Sequence, residues 1–121
     1  MQTRAVRITG LGTDLPAGAV VVVIDVIRAF TTAAVAFDRG ATDVLCAPSV
    51  AAGRAFRASH PGRLLAGEEH GVKPGDFDFG NSPAELARAT LDGRGLIQAT
   101  TNGTRGLVRA SQATALLAAW T

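Results

Sequence analysis

The chain alternates short apolar runs with segments whose apolar residues recur at helical spacing. Val20 to Ile24 is an unbroken β-branched run, the pattern of a strand covered on both faces. Phe30, Ala33, Ala34 and Phe37 follow at helical intervals, with Gly40 where a left-handed helix end is expected. Asp43 to Ala47 reads as a second buried strand. Pro48-Ser49 then stops it and caps a helix from Val50 to Ser59, which His60-Pro61-Gly62 terminates. Arg63 to Gly67 is a third strand and Leu96 to Thr100 a fourth. Between them Ser82-Pro83-Ala84-Glu85 combines a capping box with proline at the first helical position, predicting a helix that runs to about Asp92-Gly93. Gly103 to Ala110 reads as a short helix and Ala113 to Trp120 as a last apolar strand. Near the start, alternation from Arg4 to Thr9 predicts a short edge strand.

Strands alternating with helices imply an α/β fold, with a mainly parallel sheet flanked by helices in a single domain over residues 1–121. The segment from Glu68 to Asn81 has no helical period. It carries Phe77 and Phe79 among its glycines, and a loop of that length is expected to be functional. The final strand has no following helix to cover it. An uncovered buried-type strand pairs with another copy, a homo-oligomer, or belongs to something longer.

Composition narrows the function classes. The net charge of +2 is spread along the chain, with no Lys/Arg run and no tyrosine, which argues against nucleic-acid binding. No apolar run approaches the ~18 residues of a membrane span, so no membrane partner is expected. One cysteine excludes an internal disulfide framework, and the expected compartment is the cytoplasm. Cys46 itself, in mid-strand, reads as a small buried hydrophobe.

Three apolar runs lead straight into polar clusters. If they are neighbouring parallel strands, the clusters gather at the carboxyl edge of the sheet, where open α/β folds bind ligands. Asp25 ends the first, with Arg28 about one turn on. That carboxylate could hold Mg²⁺, act as a general base or attack phosphorus; alternatively it pairs with Arg28 and caps the next helix. Thr31 and Thr32 could donate to an anion or merely cap. Glu68 and Glu69 leave the third strand together, and Glu68 is the one expected to face a metal or acid–base site. His70 reads as a surface histidine and His60 as a helix terminator.

The third cluster, Thr100-Thr101-Asn102-Gly103-Thr104-Arg105, brings hydroxyls, an amide, a glycine and a guanidinium to a helix start. That set suits an anion; the plainer reading is an Asn-Gly turn with Thr104 as cap. Ser82 is explained by its capping box, whereas Asn81 has no evident structural duty. Several familiar motifs fail on context. Gly10-Leu11-Gly12 lacks the third glycine of a dinucleotide fingerprint, and Asp78-Phe79-Gly80 lacks every other kinase signature.

In order and spacing, Val23-Ile24-Asp25-Val26-Ile27-Arg28-Ala29-Phe30-Thr31-Thr32, Leu65-Ala66-Gly67-Glu68, Phe77 to Pro83 and Thr100 to Arg105 closely resemble the 2-phosphosulfolactate phosphatase (ComB-like) family. The resemblance implies an α/β, Mg²⁺-dependent acid phosphatase cleaving 2-phospho-3-sulfolactate to 3-sulfolactate and phosphate. The chain would correspond to the N-terminal half of the family fold. By position, Asp25 and Glu68 become the carboxylates for catalysis or metal binding. Arg28, Asn81, Ser82, Thr101, Asn102, Thr104 and Arg105 become contacts to a small anionic phosphorylated substrate. A truncated, non-catalytic module binding a phosphorylated or sulfonated anion is the alternative.

Overall fold

A computed structural model describes residues 8–120. The element order is β1 (Val20–Ile24), α1 (Ala29–Asp38), β2 (Val44–Ala47), α2 (Val50–Ser59), β3 (Leu64–Gly67), β4 (Phe79–Gly80), α3 (Pro83–Leu86), β5 (Leu96–Ala99), α4 (Gly103–Arg109) and β6 (Ala115–Ala119). Every strand pairing is parallel, as the alternation of strands and helices requires.

The strands divide into two sheets. One has four strands in the order β2-β5-β3-β4, and the other is the pair β1-β6. Alternation within β3 and β5 sets the layers. Leu64, Ala66 and Leu96 point to one face, where they pack with Ala36 of α1 and Leu86 of α3. Leu65, Ile97 and Ala99 point to the other, against Val50 of α2 and Phe77. Each large side chain buried this way stabilises the fold by roughly 1.5–3 kcal/mol. Helices therefore cover both faces of the four-stranded sheet.

Several expectations change. Val20 to Ile24 is not covered on both faces: Val22 and Ile24 are 50% and 61% exposed, because β1 pairs only with β6 and only one face of that pair meets α4. β1 is consequently not a neighbour of β3 and β5. Val44 to Cys46 is only partly buried, since β2 is an edge of its sheet. The helix begun at Ser82 stops at Leu86, not near Asp92. Leu86 and Leu91 both enter the core, and the chain between them is pulled out of helical register to place them there. The alternating segment from Arg4 to Thr9 falls mostly outside the described residues; Ile8 and Thr9 form no strand. No helix among the described residues is long and apolar enough to cross a membrane.

The long segment after β3 is ordered by specific contacts. Phe77 is buried in the core, and Phe79-Gly80 adds a short strand beside β3. Arg54 grips Asp76 with two hydrogen bonds of 2.8 and 2.7 Å, and Arg57 meets Asp78 at 2.7 Å. Asp78 also accepts the Leu65 N–H at 2.8 Å. Two arginines on one face of α2 thus pin the segment.

Candidate functional site

The exits of β2, β3 and β5 surround a cleft of about 250 Å³, lined by Pro48, Ser49, Val50, Glu68, Glu69, His70, Thr100, Thr101 and Arg105. It opens because the connections diverge: α2 leaves over the Leu65 face, while α4 lies against β1, β2 and α1. Diverging connections at strand carboxyl ends make the crevice in which open α/β sheets take ligands.

Glu68 is placed by Gly67. A Cβ built on Gly67 would fall on the Ala99 carbonyl oxygen, and its φ of 150° suits no other residue well. Glycine lets β3 and β5 close up there, so Glu68 emerges directly beside Thr101. The Thr101 N–H donates to Glu68 Oε1 at 2.6 Å, and the Thr101 hydroxyl donates to Oε2 at 2.8 Å. The Gly71 N–H donates to Oε2 at 2.7 Å. Gly71 reaches it because His70 and Gly71, at φ of 50° and 83°, form a tight turn closed by the Glu69–Val72 bridge. Burial alone would raise the Glu68 carboxyl. The N–H groups of Thr101 and Gly71, the Thr101 hydroxyl and the nearby His70 outweigh it and hold the group below its ordinary range.

Asp25 approaches the same turn at Gly103 and is not among the residues that line the cleft. Its Oδ1 accepts the Ala29 N–H at 3.2 Å, which tethers the start of α1. A Cβ on Gly103 would lie 2.7 Å from Asp25 Oδ2, so glycine is needed for this approach too. The two acids therefore bracket Thr101 to Gly103, with the exposed Asn102 between them. Of the alternative reading, an Asp25–Arg28 pair capping the next helix, only the contact to the helix start is present: among the described residues Arg28 and Arg105 are exposed and make no ion pair.

Other expected contacts are used internally. Thr104 is fully buried; its hydroxyl accepts the Thr100 N–H at 2.8 Å and lies 3.1 Å from the Thr100 carbonyl, so it braces the turn from behind. Asn102, not Thr104, occupies the cap position of α4. Ser82 accepts the Glu85 N–H at 3.3 Å, whereas Glu85 reaches the Gly80 N–H at 2.9 Å and not the cap residue. Thr32 spends its hydroxyl on the Arg28 carbonyl at 2.7 Å. Asn81 follows Gly80, which pairs with Gly67, so it sits next to Glu68 in register. It is 9% exposed, and its Oδ1 has no partner among the described residues. Ser49 and Val50 were legible only as a helix cap; nothing in their spacing announced that the start of α2 borders the cleft.

No group of three or more His, Cys, Asp or Glu among the described residues could hold a metal. Mg²⁺ needs less, usually one or two carboxylates completed by water and substrate oxygens. Asp25 Oδ2 accepts no hydrogen bond from the described residues and fits that role. Glu68 fits it less well, because three donors leave about one of a carboxylate's four lone-pair sites open.

A parallel α/β domain with Glu68, Thr101 and Arg105 lining a cleft at the strand carboxyl ends has the architecture of the open-sheet α/β proteins. The family follows from comparison: residues 9–120 match the model of 2-phosphosulpholactate phosphatase, and the chain belongs to that family. Relatives from Thermus thermophilus (46% identical over 86 residues) and Deinococcus radiodurans (43% over 93) each carry the name "Probable 2-phosphosulfolactate phosphatase". A third so named, from Parasynechococcus marenigrum, is 42% identical over 111 residues. These matches cover 71%, 77% and 88% of this chain but 35%, 39% and 46% of the relatives. The chain thus spans less than half the length of the curated relatives it matches.

Proposed function

We propose that this chain carries the reacting groups of a Mg²⁺-dependent phosphatase that hydrolyses the phosphate ester of a small acid, with 2-phospho-3-sulfolactate as the named case. The observation that supports it most is that both acids reach one threonine–asparagine–glycine turn, Glu68 through Thr101 and Asp25 through its close approach to Gly103, with Arg105 lining the cleft beside Glu68. Hydrolysis adds a water oxygen to phosphorus, breaks the ester P–O bond and delivers a proton to the departing alkoxide. Asp25, with Oδ2 free, is the acid assigned to the reacting side, either as metal ligand or as the group that takes a proton from water. Glu68 holds Thr101 and Gly71 in place, so the turn is organised before substrate arrives. Arg28 and Arg105, without carboxylate partners among the described residues, offset charge on the phosphoryl or sulfonate oxygens. Bound Mg²⁺ would supply Lewis-acid polarisation of the phosphoryl oxygens.

The test is phosphate release from 2-phosphosulfolactate and from glycerol 2-phosphate, with and without Mg²⁺. Asp25→Asn is expected to lower release by about a hundred-fold or more. Retained turnover in that variant would remove Asp25 from the chemistry. A second reading, a binding module without turnover, is favoured by the engagement of Glu68 with its own chain; saturable binding with no release would select it.

A further inference from the structure

The cleft at the strand exits holds an imbalance of charge. Its lining brings one guanidinium, Arg105, against two carboxylates, Glu68 and Glu69. Glu68 is spent on its own chain, with three donors on its oxygens and His70 close by. Glu69 is not spent. Its backbone is fixed, donating to the Val72 carbonyl at 2.9 Å and accepting the Val72 N–H at 3.0 Å. Its exposed carboxylate, however, has no ion-pair partner among the described residues. Arg54 of α2 has its guanidinium pKa raised first by its bonds to Asp76 and also by the charge of Glu69. Those two bonds commit Arg54 to Asp76, so Glu69 stays uncompensated.

A cleft of about 250 Å³ brings its occupant close to both Arg105 and Glu69. Two arginines, Arg105 in the lining and Arg28 outside it, can offset two anionic groups of a substrate, the phosphate and one acid. A third anionic group has no arginine left and is set against Glu69. A like charge placed against the wrong group is how sites reject a close analogue. A hydroxyl in the same position would donate to the Glu69 carboxylate, and the same charge would then attract.

We propose that Glu69 determines specificity: the cleft takes the phosphate ester of a small acid that carries a hydroxyl, and not a second acid group, beside the phosphate-bearing carbon. The inference rests on the phosphatase reading above and narrows its substrate. An ester with both carboxylate and sulfonate becomes the poorer one for this chain.

The test compares 2-phosphoglycerate with 2-phosphosulfolactate, which differ by a hydroxyl in place of the sulfonate. Phosphate release with Mg²⁺ at low salt should give a kcat/KM about ten-fold higher for 2-phosphoglycerate. Glu69→Gln should erase most of that ratio and Glu69→Lys should reverse it, with circular dichroism confirming that both variants fold. High salt should shrink the wild-type ratio, because Glu69 is exposed and its charge is screened; a preference set by the bulk of the sulfonate would not change. If neither ester releases phosphate, the phosphatase reading fails, and saturation-transfer NMR of the same two esters then reads the preference as binding. Equal or opposite preference in the wild type, binding of neither ester, or a ratio that Glu69→Gln and salt leave unchanged overturns the proposal.

Discussion

Glu68 shows how one carboxylate can be identified from sequence while its duty depends on its neighbours. It leaves a buried strand beside a turn rich in N–H groups, and three donors converge on its two oxygens. Glu68→Gln puts an amide nitrogen opposite an N–H donor and should destabilise the fold by about 1–3 kcal/mol in urea unfolding. The sign of the pH dependence follows from the depressed folded-state pKa. The unfolded chain binds the proton more readily, so the contribution is complete above the ordinary value of 4.5 and is lost as pH falls through the lower folded value. The gap between wild type and variant should therefore narrow on acidification, and a gap independent of pH would refute the account. Asp25 was legible as a candidate because charge at the carboxyl end of an apolar strand is well sited for a ligand, and Asn81 because it had no evident structural duty. That Thr104 would be buried was not legible: a threonine in a polar turn reads the same whether it faces ligand or core.

Among the elements, the segment after β3 has the least secondary structure and the most specific anchoring. The Arg54–Asp76 pair is exposed and its strength is limited by solvent, although it draws the Asp76 carboxyl down to about 2. Asp78 matters more, because it also satisfies the N–H of the buried Leu65. Asp78→Ala should cost about 1–3 kcal/mol and speed amide exchange across residues 69–78. Asp76→Ala should leave the urea midpoint nearly unchanged. Equal effects of the two would show that charge alone, not the Leu65 bond, holds the segment. Helix starts were readable here, as Ser49 and Ser82 both cap where their spacing indicates. Helix ends were less so: α3 stops early because Leu91 has to reach the core, a long-range demand that local pattern does not encode.

For the whole molecule, the separation of β1-β6 from the main sheet has the widest consequences. In-register pairing of Val20, Val22 and Ile24 with Ala115, Leu117 and Ala119 makes one continuous apolar face, and its valines, isoleucine and leucine are at least half exposed. Parallel sheets are ordinarily covered on both sides, so this face should drive concentration-dependent association. Val22→Thr with Leu117→Thr should reduce the weight-average mass in light scattering without altering the circular dichroism; an unchanged mass would show that the face is not the contact. Sequence alone determined the α/β class, the parallel direction of the strands and the identity of the polar clusters, because each is written in local periodicity and composition. Only the tertiary structure decided which strands are neighbours, which residue of the turn each acid meets and which hydroxyls are spent internally. Those outcomes depend on contacts between residues dozens of positions apart, such as Glu68 with Thr101 and Gln98 with Ala29. Their energies are set by geometry that no local window of the chain contains.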